Sequence, residues 1–346
     1  MGTFQEMADA EAREIAAWED RVESLIRDKG GSATAREFQR AVNVVFHNVE
    51  AGCYDRIHQE MWLSLPPVFD RVVADIQQHC QPATDRTLAD VGCGTGLATE
   101  LLLETPLGSR FAALLMVDTS EEMLRRCRKR AANWHRATEF IHGQIEALPD
   151  ASVDAVITCS VLHHLPDLFE FCRQLARVLR RNGLYVHVHD PRRGAIHQPA
   201  VMQRMEELAS YRWRRRTRFW MLPFRIARVV LNRTRRAISS DYLDDVNQRL
   251  IDAGLIKVPL TPNEIWSITD LRMGNLPYSA VDGVGSDELK SALVEFESIS
   301  MHTYGYYGVL PSNLPPGFAA KERTLFAESC PDGMFIAGAW RKLNNP

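Results

Sequence analysis

Between residues 87 and 97 the chain reads Thr-Leu-Ala-Asp-Val-Gly-Cys-Gly-Thr-Gly-Leu, an apolar strand that runs into glycines at 92, 94 and 96. Such a turn bends sharply and lets a ligand lie on the main chain. The nearest alternative is a dinucleotide turn, in which the third glycine follows the second by three residues and the backbone cradles a pyrophosphate. Here the third glycine follows after two, and Asp90 stands at the strand end, where its charge repels phosphate and suits a ligand carrying an ammonium and a sulfonium. Asp118 closes a second strand (111–117) and sets a carboxylate where nucleotide folds hold ribose hydroxyls. His163 and His164 follow a fourth strand, and Asp190 follows a fifth, so imidazoles and a carboxylate at the ligand edge are candidates for a general base.

The elements that must position these groups are legible as an alternation of strands and helices. Residues 98–103 and 121–124 begin helices, with Thr119 or Ser120 as the cap of the second. Residues 152–166 supply the fourth strand and its loop, which includes Cys159. Phe171, Leu175, Val178 and Leu179 predict a helix ending at Asn182-Gly183, and the fifth strand follows at 183–189. His187 and His189 alternate on that strand. With Asp190 they have the make-up of a metal site, but no further acidic cluster is near, so packing is the reading for His187, the cleft for Asp190, and no metal is expected.

Taken in order, these segments resemble the class I S-adenosylmethionine-dependent methyltransferases. The glycine turn is similar to their motif I, which implies cofactor contacts from Asp90, Gly92, Cys93, Gly94 and Gly96. Asp118 and Thr119 fall where the family grips the ribose. Residues 139–149 resemble the segment that receives adenine, with Gln144 where the family usually has Asp; its carbonyl can still accept from the amine, and Ile145 covers the ring. Cys159 falls at the same edge. Residues 48–58 look like the Tyr-Asp stretch that small-molecule members place over the cofactor. The resemblance thus puts Tyr54 near the sulfonium by cation–π attraction or, equally, as a helix-packing ring, with His47, His58 and Trp62 along the same lid. In the family, a Leu-His-His-Leu-Pro run such as 162–166 is more often architecture than catalysis. Tyr304, Tyr306 and Tyr307 are read as strand residues rather than as an acceptor pocket.

The fold implied is α/β: a doubly wound, mostly parallel seven-stranded sheet with an N-terminal helical lid and a helical insertion after the fifth strand. The segments are 1–83 (lid), 84–190 (cofactor-binding core), 191–299 (Arg-rich helical insertion) and 300–346 (closing strands, 300–307 and 333–340). Gly30-Gly31 breaks the front helices, Pro66-Pro67 opens another, and Thr261-Pro262-Asn263-Glu264 begins one in the insertion.

Apolar content of 45% and charged content of 25% suit a folded globular chain. Seven scattered cysteines, with no Cys-x-x-Cys pair, argue against a disulfide framework or zinc site. The acidic start lacks the basic and then apolar run of a signal peptide, and no apolar stretch reaches the ~20 residues of a membrane span, so a cytoplasmic location is expected. Charge is uneven. Residues 191–240 hold 13 arginines against Glu206 and Glu207, a net of +11 in a chain whose total is −3. Self-association or lid packing ranks first for this stretch, a membrane surface or anionic substrate second, and nucleic acid third; no DNA partner is expected. The function expected is methyl transfer from S-adenosyl-L-methionine to a small, apolar or aromatic metabolite. The alternatives are a lipid or quinone acceptor at the membrane surface, and a non-catalytic cofactor-binding scaffold.

Overall fold

The computed structural model describes residues 4–79, 84–218, 242–274 and 276–343. Five helices come first: α1 (Phe4–Asp28), α2 (Ala35–Glu50), α3 (Tyr54–Ile57), α4 (Gln59–Ser64) and α5 (Pro66–His79). Then β1 (Arg86–Val91), α6 (Leu97–Leu103), β2 (Phe111–Asp118), α7 (Glu121–Ala131), β3 (Ala137–His142), β4 (Val153–Cys159), α8 (Leu168–Val178) and β5 (Leu179–Pro191) alternate. The insertion holds α9 (Pro199–Arg218), a helix over 242–252 (α10), α11 (Pro262–Thr269) and α12 (Ser286–Ala292). The chain closes with β6 (Phe296–Tyr304), α13 (Pro316–Ala327) and β7 (Phe335–Lys342).

The seven strands lie in the order β3-β2-β1-β4-β5-β7-β6, parallel except where β7 runs antiparallel between β5 and β6. This is the expected doubly wound sheet. Strand order reverses between β1 and β4, which opens a crevice at their carboxyl ends. The glycine turn and the His163–His164 loop leave the sheet on either side of it. Helices α4 to α7 cover one face through Leu65, Val72, Leu101 and Leu124; α8 and α12 cover the other through Leu175, Leu289 and Leu293.

A third core roofs the crevice. Trp18, Val22, Phe38, Val42 and Phe46 of α1 and α2 pack against Val246, Leu250, Ile265 and Ile268 of the insertion. The front helices and the insertion therefore share one apolar cluster. Its helices are capped as the sequence requires: Thr34 with Glu37 before α2, and Thr261 with Glu264 before α11, form capping boxes.

Three local readings change. Helix α8 stops at Val178, ahead of Asn182-Gly183, because buried Leu179 already pairs with Val153. Residues 180–183 loop out where the β4–β5 register shifts, and Asn182, at φ 59, makes the turn back into the strand. The closing strands lie at 296–304 and 335–342. β6 ends at Tyr304, so Tyr306 and Tyr307 lie beyond the strand, and Glu322 accepts the Gly305 and Tyr306 amides. The apolar stretch 219–231 and the arginines from 225 to 236 lie outside the described residues.

Candidate active site

One cavity of about 390 Å³ occupies the crevice, with the sheet's carboxyl edge as its floor and α2, α3 and α11 as its roof. Its two ends differ in chemistry.

The first end is built on β1, β2 and β3. Gly94, Asp118, Thr119, Gln144, Ile145 and Cys159 all line it. The Gly94 N–H donates to Asp118 Oδ2 at 2.8 Å and the Ser120 N–H to Asp118 Oδ1 at 2.7 Å, so backbone amides aim the carboxylate. Burial raises the Asp118 carboxyl, and those two amides oppose the rise. Gly94 has φ 52, and a Cβ placed there would meet nothing within 4 Å: the turn presents bare backbone to open space. Gly92 lines the cavity too, whereas Gly96 faces the protein, where a Cβ would come within 2.9 Å of Cys127 and Trp134. Cys93 is buried beside Cys127, and burial holds its thiol far up, which suits packing rather than nucleophilic attack.

Asp90 lies beneath the turn. Thr99 Oγ1 donates to its Oδ2 at 2.7 Å, its Oδ1 has no partner, and burial pushes the carboxyl up to about 7. A buried carboxylate with one oxygen unsatisfied favours positive charge at the turn above it. Bare glycine backbone, an amide-aimed carboxylate and this buried acid together fit a nucleoside carrying a cationic tail, which is the chemistry of S-adenosylmethionine.

A short lid crosses this end. Tyr54 of α3 lines the cavity, its ring 4.5 Å from that of His58. The next residue anchors it: Asp55 accepts from Thr95 Oγ1 at 2.7 Å and from Arg130 Nη2 at 2.6 Å. Arg130 also donates to the Thr95 carbonyl and pairs with Glu100, so the glycine turn, α6, α7 and the lid meet at one guanidinium. Trp62 does not line the cavity; its ring lies under Arg130.

The second end is acid–base in character. His163 and His164 line it from the turn after β4, His47 and Glu50 from α2, His58 from the lid, and Asp270 from the end of α11, with Phe46 and Trp266 as apolar wall. Asp190 sits behind His163, fully buried, and accepts both its Nδ1 (2.9 Å) and its backbone N–H (3.2 Å). It does not itself line the cavity. A bulge explains this: His189 takes φ 67 and the β5–β7 register shifts between Val188 and Asp190, turning the carboxylate under the histidine loop. Burial pulls the His163 pKa down, but Asp190 outweighs it and the net shift is upward. His164 goes the other way, well below its usual range, through burial and its neighbours His163 and His47. Glu50 accepts from His58 Nε2 at 3.2 Å and stands 3.5 Å from His47 Nδ1; these imidazoles overcome burial and bring its carboxyl to about 2.

His187 and His189 face away from the cavity, His187 fully buried and His189 against Tyr304 and Phe335. Tyr304, Tyr306 and Tyr307 do not line it either. Glu50, Asp55, Arg130 and Asp270 escaped the sequence reading. Only Asp55 carried a signal, as the second residue of the Tyr-Asp stretch.

No helix among the described residues is long and apolar enough to cross a membrane. Residues 89–187 match a family described as a methyltransferase domain. The chain is 33% identical over 112 residues to a probable S-adenosylmethionine-dependent methyltransferase of Mycobacterium tuberculosis, covering 32% of this chain and 38% of that protein. It is 32% identical over 111 residues to the ubiquinone biosynthesis O-methyltransferase of Idiomarina loihiensis, covering 31% and 44%. It is 28% identical over 158 residues to the trans-aconitate 2-methyltransferase of Afipia carboxidovorans, covering 44% and 57%. The chain thus spans about half or less of the length of these relatives.

Proposed function

We propose that this chain, an enzyme whose sheet domain belongs to the class I S-adenosylmethionine-dependent methyltransferases, transfers the cofactor's methyl group to a small acceptor through an oxygen or nitrogen that sheds a proton. The observation that carries this is the joining of two chemistries in one cavity. The glycine-turn end suits the cofactor, and the far end gathers His47, His58, His163 and His164 with Glu50 and Asp270.

When bound, the cofactor supplies a methyl group already activated by a positive sulfur. The work left to the protein is alignment, exclusion of water and a destination for the acceptor's proton. Asp118 and the Gly94 turn hold the nucleoside, and Tyr54, tied down through Asp55, covers it. Phe46 and Trp266 offer flat walls to a ring, while the imidazoles take up the proton. An acceptor with no exchangeable proton would leave buried imidazoles and carboxylates facing apolar surface, at a desolvation cost of roughly 1–3 kcal/mol for each unpaired group. An aromatic hydroxyl, which has a proton to shed, therefore fits better than a purely apolar acceptor; a carboxylate, already ionised near neutral pH, would need alignment alone, and two of the similar proteins carry names compatible with such acceptors.

The test is incubation of the pure chain with methyl-labelled cofactor and two acceptor panels, one of phenols and carboxylic acids, the other of hydrocarbons and isoprenoids without such groups. Label transferred to the first panel is expected. Transfer confined to the second would overturn the acceptor reading, and cofactor binding without transfer to any host extract would favour a scaffold.

A further inference from the structure

We infer that His163, His164 and Asp270 form a binding site for a first-row divalent cation at the acceptor end of the cavity, where the ion would hold an acceptor through two neighbouring oxygens. The acceptor part rests on the function proposed above; the ion site rests on this group alone.

All three residues line the cavity, and each offers one donor atom such that the three lie within 4.8 Å of one another. Asp270 Oδ1 is 3.3 Å from His164 Nδ1 and 3.7 Å from His163 Nε2. Ligands on an ion with bonds of about 2.1 Å stand about 3.0–3.5 Å apart, which the two separations to Asp270 nearly match, while the two imidazole donors lie within 4.8 Å of each other. Two imidazoles and one carboxylate form a donor set that suits zinc, iron, cobalt or nickel and leaves positions open for a substrate.

Proton bookkeeping strengthens the case. His163 Nδ1 donates to Asp190 Oδ1 at 2.9 Å, which in the neutral ring leaves the Nε2 lone pair on the side of Asp270. This is the carboxylate–imidazole–metal arrangement that fixes the tautomer of metal-bound histidines. His164 Nδ1 lies 2.7 Å from the Thr269 carbonyl, which can only accept, so that nitrogen carries the ring proton. The same Nδ1 is the atom beside Asp270, so an ion bound there would replace the ring proton and its bond to Thr269. The Asp270 carboxylate thus faces Nε2 of His163 and Nδ1 of His164. Arg272, two residues on, does not relieve it: that guanidinium is buried between Glu11 and Glu288. Of the lining arginines, Arg36 is paired with Glu19 and both it and Arg40 sit at the start of α2. Among the described residues, the positive charge set against Asp270 comes from imidazoles, those of His163, His47 and His58.

The group is also held in place. The Arg272 N–H donates to the His163 carbonyl at 3.1 Å and its Nε to the Leu165 carbonyl at 3.4 Å, stitching the segment that carries Asp270 to the histidine turn. A site assembled from elements about 105 residues apart is thereby fixed before any ion arrives.

The experiment uses untagged full-length chain, stripped with a chelator, dialysed, and titrated separately with Zn²⁺, Mn²⁺ and Co²⁺ by calorimetry and, for Co²⁺, visible absorption. One ion per chain is expected, with binding weakened roughly tenfold or more in Asp270→Asn and His163→Gln, and also in Asp190→Asn, which leaves the ligands and alters only their support. Wild-type chain that takes up none of the three ions overturns the inference, and this outcome needs no variant. Uptake unchanged in a folded Asp270→Asn/His163→Gln chain overturns it as well, because the ion then sits elsewhere. Titration with S-adenosylhomocysteine in the same buffers separates the two ideas. Analogue binding without ion uptake defeats the ion site and leaves the proposed function standing; ion uptake without analogue binding does the reverse.

Discussion

Asp118 accepts the Gly94 amide at 2.8 Å, so the carboxylate at the tip of β2 is aimed by the glycine turn that follows β1. The two features that most suggest a nucleoside site are one hydrogen-bonded unit. Asp118→Ala removes a charged acceptor from the ribose position and loosens the turn. We expect S-adenosylhomocysteine to bind more weakly by roughly 1.5–3 kcal/mol, about tenfold to 150-fold, in a calorimetric titration. An unchanged dissociation constant in the folded variant would mean that Asp118 does not meet the ribose.

The lid should be controlled from Asp55. Its pairing with Arg130 is partly exposed, so its loss should cost little stability, under about 1 kcal/mol. Yet it holds the helix that carries Tyr54 over the cavity. Asp55→Ala should leave the melting temperature nearly intact while raising the cofactor KM by roughly tenfold. A KM equal to wild type would show that the lid closes without this anchor.

Asp190 touches no part of the cavity surface and acts through His163. Asp190→Asn keeps an oxygen that can accept from Nδ1 but removes the charge. Turnover should fall roughly tenfold or more with the cofactor KM unchanged, since support of the imidazole is lost and the nucleoside end is untouched. A rise in KM with kcat preserved would place Asp190 in cofactor binding instead.

Acid should unfold this chain early. His187 and His189 are buried and neutral, with pKa values lowered by burial to about 4 and about 3, and neither His187 nitrogen has a partner. Unfolded histidine titrates near 6.5, so below that pH the unfolded state binds more protons. Stability is therefore whole above pH 6.5 and declines as pH falls towards 4. For His187 the loss is on the order of 3 kcal/mol by pH 4. His187→Asn should flatten the fall in melting temperature between pH 6.5 and 4; an equal slope in wild type and variant would clear His187 of this role.

The sheet and the cofactor end were readable because their signals are local. Alternating strands and helices, glycines at a strand end and an acid at the next strand end are all short-range patterns, and residues near each other in sequence form that part of the site. The acceptor end was harder for the opposite reason. Glu50 lies on α2 and Asp270 at the end of α11, far apart in the chain, and the apolar cluster joining Phe46 to Ile265 and Ile268 brings those helices together. Asp190 was found, but its direction was not, because a bulge at His189 overrides the strand's alternation. The Asn182-Gly183 pair read as a helix stop because that pair marks any tight turn, and here the turn lies inside β5. The helices flanking the sheet and those roofing it look alike in sequence, since both carry one apolar face.

The central claim is that a single cavity seats the cofactor at the Gly94–Asp118 end and presents its sulfur to the imidazole end. A crystal structure of the chain with S-adenosylhomocysteine tests it most directly. The account predicts the ribose hydroxyls on Asp118, the adenine beside Gln144 and Ile145, and the sulfur on the side of Tyr54 and His163. A ligand bound outside this cavity, or seated in it with the sulfur turned away from the histidines, would contradict it.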